Sequence, residues 1–322
     1  MSLRLRQGTF PKAEGSNSSI LLNGGIGNQL FQYCFARRIA QEIDAPVYLD
    51  TTLLSLSHRN SNSRPTIEEL DIESVGWIDN TSAINRLLSR VSVSFSTYSN
   101  QRYINRILES QELDKCMVFM QGKSVIDKSI RPKQNSIYIG SFASYWYWKD
   151  YSFTLLREVG QLLNQHVKRL GSSCAQSRHE LVIHARRGDY FHNPKTRGVH
   201  GVYGVSYYLK ALSALSDEYL CNLKILSDDL TFALELCDSI HKVYPRMEIS
   251  ISNTTDPFVL LSEFSNTKAF IGSNSTFSWW LANLGDEKVR LLPSKWFNSS
   301  AFSFRKDEYF PYPVQFIDDS FE

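Results

Sequence analysis

No stretch of this 322-residue chain approaches the roughly eighteen consecutive apolar residues of a membrane-spanning helix. The opening "MSLRLRQGTFPKAEGSNSS" lacks the apolar centre of a signal peptide and reads as a polar leader, 1–19. Charge of one sign is scarce: 35 Lys and Arg stand against 33 Asp and Glu, without a block of like charges. That excludes a dedicated nucleic-acid binder. Cysteine is sparse. The five (Cys34, Cys116, Cys174, Cys221, Cys237) are odd in number and none pairs at metal-ligand spacing. They read as buried thiols in a reducing cytoplasm. Without an export signal, triplets such as Asn274-Ser275-Thr276 carry no meaning as glycan acceptors. No Gly-x-Ser-x-Gly elbow occurs, which disfavours acyl-enzyme chemistry.

What is present is an ordinary globular composition, 42% hydrophobic and 21% charged, at a length suited to one large domain or two ordinary ones. The first informative stretch is "SILLNGGIGNQLFQY", residues 19–33. Ile20–Leu22 reads as a short buried strand. Phe31, Phe35, Ile39 and Ile43, with Leu30 and Cys34 beside them, mark one face of a helix. Gly24, Gly25 and Gly27 therefore fall at a strand-to-helix turn, where unpaired N–H groups attract anions. The phosphate-loop ending Gly-Lys-Ser/Thr is missing, and Leu30 stands where the dinucleotide fingerprint needs its third glycine. A tight turn that packs a helix on a sheet explains the glycines equally well. Asn28 and Gln29 tilt the balance toward a ligand, because both amides can donate hydrogen bonds.

A second strand is expected at Pro46–Leu49, then a polar loop, then helical patterning over 81–130. "IYIGSFASYWYWKDY" (137–151) is the most aromatic window; its rings read mostly as core. A helix over 153–170 precedes a polar link at 171–178, which separates an N-terminal unit, 20–175, from a C-terminal one, 176–322. The second unit alternates strands ("ELVIHA", "LKILSDD", "MEISISN", "KAFIGSN", "KVRLLPSKWF") with helices ("YGVSYYLKALSAL", "LTFALELCDSIHKVY", "DPFVLLSEFS", "STFSWWLANLG"). That rhythm predicts a parallel sheet covered on both faces. The expected fold class is α/β, with two Rossmann-like parallel-sheet domains facing a central cleft.

Ligands in open parallel sheets bind at the carboxyl ends of strands. Those ends offer Gly25, Gly27, Asn28 and Gln29 in the first unit. In the second they offer His184, Arg186, Arg187 and Asp189, then Ser227, Asp228 and Asp229, then Ser273, Asn274, Ser275, Thr276 and Phe277. Arginine's planar fork suits a diphosphate. Successive arginines after a strand face different ways, so one of the pair suffices for a ligand. A surface pair bridged to Asp189 is the bland alternative. "GSNST" before an apolar helix can hold phosphate oxygens or simply cap the helix. Trp279 and Trp280 read as core. The aspartates of "SDD" fit a charge pair better than a metal, since no His or Cys supports one. Asp256 before Pro257 reads as a helix cap. On residues alone, the best fit is a transferase acting on a nucleotide-activated sugar.

"GGIGNQLFQY", "HARRGDY", "SDD" and "NSTFSWWLANL", in that order, resemble the α-1,2-fucosyltransferases of glycosyltransferase family 11. Weaker likeness extends to "GSFASYWYWKDY" and "LLPSKWF", so the resemblance spans about Ile20 to Phe297. It implies the two-domain GT-B fold and inverting transfer of fucose from GDP-β-L-fucose to the 2-hydroxyl of a terminal galactose. It implies no metal or other cofactor. It further implies that Arg186 holds the β-phosphate, while His184 and Arg187 orient it. Asn274, Ser275, Thr276 and Phe277 would line the phosphate and fucose pocket, with Asp228 in the same donor site. Gly25, Gly27 and Asn28 would close over the donor from the N-terminal domain. Asp189 is the expected general base or, failing that, a clamp on the arginines; His58 is a second base candidate. The family's aromatic early-loop block is replaced here by "TIEELDI", which leaves the acceptor open. The expected partners are GDP-fucose and a β-galactoside-terminated glycan, with peripheral association to a lipid-linked glycan at the inner face of the membrane, and no nucleic acid. Transfer of another activated sugar on the same fold is one rival reading. A non-catalytic nucleotide or glycan binder is the other.

Overall fold

The computed structural model describes residues 18–52, 54, 66–72, 75–78, 117–120 (backbone only), 126–171, 180–285, 287–298 and 305–322. Two wholly parallel sheets organise them. The first contains β1 (Ser18–Leu21), β2 (Val47–Asp50), β3 (Gly76–Ile78), β4 (Met117–Met120) and β5 (Ser136–Ile139), in the order β3-β2-β1-β5-β4. The second contains β6 (Leu181–Ala185), β7 (Asn222–Ser227), β8 (Glu248–Ile251), β9 (Ala269–Gly272), β10 (Val289–Pro293) and β11 (Gln315–Ile317), in the order β8-β7-β6-β9-β10-β11. Counted from β6, that is the strand order of dinucleotide-binding folds. The α/β class with two parallel-sheet units is therefore as expected.

The helices follow their strands. In the first unit they are α1 (Ile26–Ile43) and α2 (Ser152–Arg169). In the second, α3 (Gly188–His192), α4 (Pro194–His200) and α5 (Val205–Ser213) lie between β6 and β7. They are followed by α6 (Leu230–Val243), α7 (Pro257–Glu263), α8 (Thr276–Asn283) and α9 (Lys306–Tyr309). Local chemistry sets several of their starts. Asp256 caps α7 by accepting from the Phe258 and Val259 N–H groups at 2.8 and 3.2 Å, with Pro257 at the first helical position. Asp229 caps α6 through the Phe232 N–H.

The two units share apolar packing. Helix α1 buries Phe31, Phe35 and Ile39 as its periodicity predicts, but also Gln29, Gln32 and Tyr33. It is covered on more than one side because α8 of the second unit lies against it. Phe31 sits 4.5 Å from Trp279 and 5.1 Å from Trp280, and Trp148 stacks on Trp280 with planes 6° apart. Trp279 and Trp280 are fully buried, the core role expected of them.

Some expectations shift. β1 begins at Ser18, inside the stretch read as leader. "KVRLLPSKWF" is not the last strand; β11 follows and pairs with β10. Residues 117–120 of the stretch read as helical form β4, while 79–116 lie outside the described residues, as do residues 172–178 of the link read at 171–178, where the expected unit boundary falls. Cys34 is buried, but Cys221 is exposed and Cys237 half-buried, so burial is not common to the thiols.

Candidate active site

In the second sheet, β6 leads off toward β7 and β9 toward β10, on opposite sides. The crevice between such diverging strands is where open α/β sheets take ligands. A chain of hydroxyls ties the two strand ends together. His184 Nδ1 lies 2.6 Å from Ser278 Oγ. Ser278 Oγ accepts from the Ser273 N–H at 3.0 Å and lies 3.0 Å from Ser273 Oγ. Ser273 Oγ in turn accepts from the Arg186 N–H at 3.3 Å. Burial pushes the His184 imidazole down to about 3, and the Arg186 charge adds to it, so the ring is neutral near pH 7.

Arg186 stands at the exit of β6 between two carboxylates. Its Nη2 donates to Asp189 Oδ1 at 2.5 Å and its Nη1 pairs with Asp228 Oδ2 at 2.7 Å. Burial works against the guanidinium charge, but Asp228 and then Asp189 outweigh it and raise the pKa. About a third of the side chain (34%) remains open to solvent. Asp228 does a second thing. Its Oδ1 accepts from the backbone N–H of Arg187 at 2.7 Å and of Gly188 at 3.1 Å. A Cβ on Gly188 would sit 2.2 Å from Asp228 Oδ2, so this close approach needs glycine. One carboxylate therefore fixes both the turn and the head of Arg186. That is the charge pairing expected of "SDD".

Arg187 is not brought to the crevice. Its guanidinium is buried between the rings of Phe191 and Phe232, at 4.3 and 4.1 Å from their centres. Nη1 donates to Glu322 Oε2 at 2.5 Å. The side chain expected to orient the donor is thus directed away from Arg186: beyond the end of β6, at the start of α3, the turn sends successive arginines into different surroundings. Asp189, expected first as a base, is the ion-pair partner of Arg186. Asn274 is likewise engaged, its Nδ2 donating to the His200 and Trp296 carbonyls at 2.7 and 3.1 Å. Ser275 caps α8 through the Ser278 N–H. Thr276 and Phe277 stay half-buried, with the Phe277 ring 5.1 Å from His184.

The glycine turn of the first unit lies opposite. Gly24 takes φ +74, a conformation that disfavours any side chain. Gly25 is exposed, and its carbonyl accepts from the Asn28 and Gln29 N–H groups at 2.9 and 3.1 Å, with no side chain capping α1. Gly27 is bare where the other unit approaches. A Cβ there would lie 2.7 Å from Thr276 Oγ1 and 2.8 Å from the Thr276 carbonyl carbon. Its carbonyl accepts from Trp280 Nε1 at 2.8 Å. Gln29 is buried and occupied, accepting from the Ile67 N–H and donating to the Gly24 carbonyl. Asn28 is half-buried, and its side chain makes no hydrogen bond among the described residues.

The helix starts of the two units thus meet where Gly27 lies against Thr276 and Phe277, and Arg186 stands at the neighbouring end of β6. A helix start without a side-chain cap and a fixed, partly open cation are both features that suit an anion. Among the described residues no three His, Cys, Asp or Glu side chains gather as metal ligands, and no helix is long and apolar enough to cross a membrane. His58 lies outside the described residues. Sequence reasoning passed over Gly188, Ser278, Tyr190 and His200. The last two stack at 4.5 Å beside Arg186, which lies 5.4 Å from the Tyr190 ring. A serine three places after the Ser275 cap was the one local signal for Ser278.

Residues 18–312 match the family described as Glycosyl transferase family 11. Two curated proteins of Escherichia coli are similar across most of their length. An alpha-1,2-colitosyltransferase is 26% identical over 86% of this chain and 91% of its own. The O-antigen biosynthesis glycosyltransferase WbnK is 24% identical over 86% of this chain and 93% of its own. Among solved structures, NodZ alpha-1,6-fucosyltransferase soaked with GDP-fucose aligns with a TM-score of 0.44 at 13% identity, covering 84% of this chain and 93% of that one. The chain belongs to glycosyl transferase family 11.

Proposed function

We propose that this member of glycosyl transferase family 11 is a galactoside α-1,2-L-fucosyltransferase that builds a surface glycan or O-antigen. Fucose would pass from GDP-β-L-fucose to the 2-hydroxyl of a terminal galactose with inversion. The observation that carries the reading is Arg186, fixed by Asp228 and Asp189 at the switch point between β6 and β9. When the bond from the sugar's anomeric carbon to the β-phosphate breaks, positive charge spreads over the sugar ring and negative charge collects on the departing diphosphate. A cation already oriented there stabilises the transition state without reorganising. The acceptor hydroxyl oxygen bonds to the anomeric carbon from the opposite face as the bond to the phosphate breaks, and its proton passes to water. Asp189 is assigned to holding Arg186, and neutral His184 to fixing the strand end through Ser278. Thr276, Phe277, Gly25 and Asn28 border the donor. No metal takes part.

The test is GDP release from GDP-fucose by the purified protein in EDTA, with lactose, N-acetyllactosamine or lacto-N-biose as acceptor. Acceptor-stimulated release, lost in Arg186→Ala, is the expected result. Tight GDP binding without turnover on any sugar would turn the reading to a binder. A second reading has its own support in the colitosyltransferase relative. Colitose is fucose without its 3-hydroxyl, so a GDP-colitose arm belongs in the same assay, and preference for it would replace fucose as the donor sugar.

A further inference from the structure

The arginine that turns away from the crevice leads to a second device. Residues 318–322 lie along the loop that joins α4 to α5. The Glu322 N–H donates to the Val202 carbonyl at 2.9 Å, and Arg197 Nη2 donates to the Glu322 carbonyl at 3.1 Å. Ser206 Oγ donates to Asp319 Oδ2 at 3.0 Å. The Phe321 ring packs 4.7 Å from Tyr203 and fills the space that a Cβ on Gly201 would need. Gly204 is bare beneath the Glu322 side chain, where a Cβ would come within 2.7 Å of Oε1. The segment is thus seated on two glycines and held by backbone and side-chain bonds. From that seat Glu322 reaches the buried guanidinium of Arg187.

We propose that Glu322 is a positioning residue for the donor site, acting through the partition of charge between the adjacent arginines. This rests on the donor-site reading above. Four carboxylates lie within ion-pair distance of the two guanidinium groups, Asp229 the most distant of them. Asp228 and Asp189 hold Arg186, and Glu322 holds Arg187. Arg187 Nε has no hydrogen bond, and its nearest other carboxylate is Asp229 Oδ2, at 3.9 Å. A buried cation that loses its partner takes the next available carboxylate, because leaving it unpaired is far costlier than a small side-chain shift. Without Glu322, Arg187 keeps only the Tyr203 carbonyl, at 3.4 Å, and draws on Asp229 and through it on the adjoining Asp228. Asp228 also carries the Arg187 and Gly188 N–H groups and the head of Arg186, so the whole turn moves with it.

The experiment compares wild type with Glu322→Gln, Glu322→Asp and the double variant Arg187→Met/Glu322→Gln. GDP binding is read by calorimetry, donor KM and kcat by GDP release, and folding by Tm. The expected result for Glu322→Gln is a rise on the order of tenfold in GDP Kd and donor KM, with a smaller change in kcat. Glu322→Asp recovers part of the affinity. The double variant also recovers it, since no unpaired charge then remains to disturb Asp228. Unchanged GDP affinity in Glu322→Gln overturns the proposal. So does a double variant as weak as Glu322→Gln, which would reduce the segment to packing. Absence of GDP binding in wild type is the separate failure of the donor-site reading, and the proposal falls with it.

Discussion

The two strand-to-helix turns that meet at Gly27 and Thr276 look alike in sequence, each joining glycine and uncharged polar residues to an apolar helix, yet they solve opposite problems. The turn at 273–276 is closed on itself. Ser273, Ser275 and Ser278 satisfy one another, and Asn274 bridges two carbonyls. The turn at 24–28 is left open at its tip, where Gly25 is exposed and α1 begins without a side-chain cap. A self-satisfied turn is a rigid floor. An uncapped one keeps N–H groups for something else. The neighbouring arginines repeat the contrast: Arg186 is half-open between carboxylates, whereas Arg187 is sealed between phenyl rings. Residue type does not separate these cases; surroundings do.

The largest effect expected from breaking this contrast is at Arg186. Arg186→Ala should lower kcat by on the order of 100- to 1000-fold, read by GDP release. Tm should change little, because a third of the side chain (34%) is exposed.

Gly27→Ala tests the meeting of the two turns. Alanine in the first turn of α1 gains less than the about 1 kcal/mol of a helix interior, and its Cβ would press on Thr276 backbone atoms, which have no flexible end to move. Overpacking of that kind costs about 1–3 kcal/mol, so a net loss of stability in urea unfolding is expected. A gain would show the units free to part at this point.

Acid should act next. The native imidazoles of His184 and His200 are pushed down to about 3 and about 4, chiefly by burial. Between those values and the ordinary 6.5 the unfolded chain binds protons that the native one does not. Stability therefore rises with pH across that window and is lost as pH falls from about 6.5 toward 4. Urea midpoints at pH 7, 6 and 5 should decline in that order, and the decline should be shallower in His200→Gln.

The smallest pair sharpens the comparison of turns. Ser275→Ala removes a formed cap and should cost about 1 kcal/mol. Gly25→Ala meets nothing within 4 Å, and its φ of −76 is ordinary, so its cost should fall below about 1 kcal/mol.

Much of this molecule is legible along the chain. The continuous apolar run of "LVIHA" determines a strand buried on both faces, and the following helix periodicity makes the sheet parallel. Asp256 with Pro257 announces a helix start, and the strand ends announce His184, Arg186, Asp228 and the Ser275 turn. These are local statements, made by neighbours in sequence through backbone geometry and capping. The tertiary structure alone decided the rest. Gly27 is bare because of a helix whose Trp280 lies 253 residues away. Arg187 is buried because Phe232 and Glu322, the latter 135 residues on, complete its pocket. Close approach and charge partition depend on which surfaces the fold brings together, and no spacing along the chain encodes them.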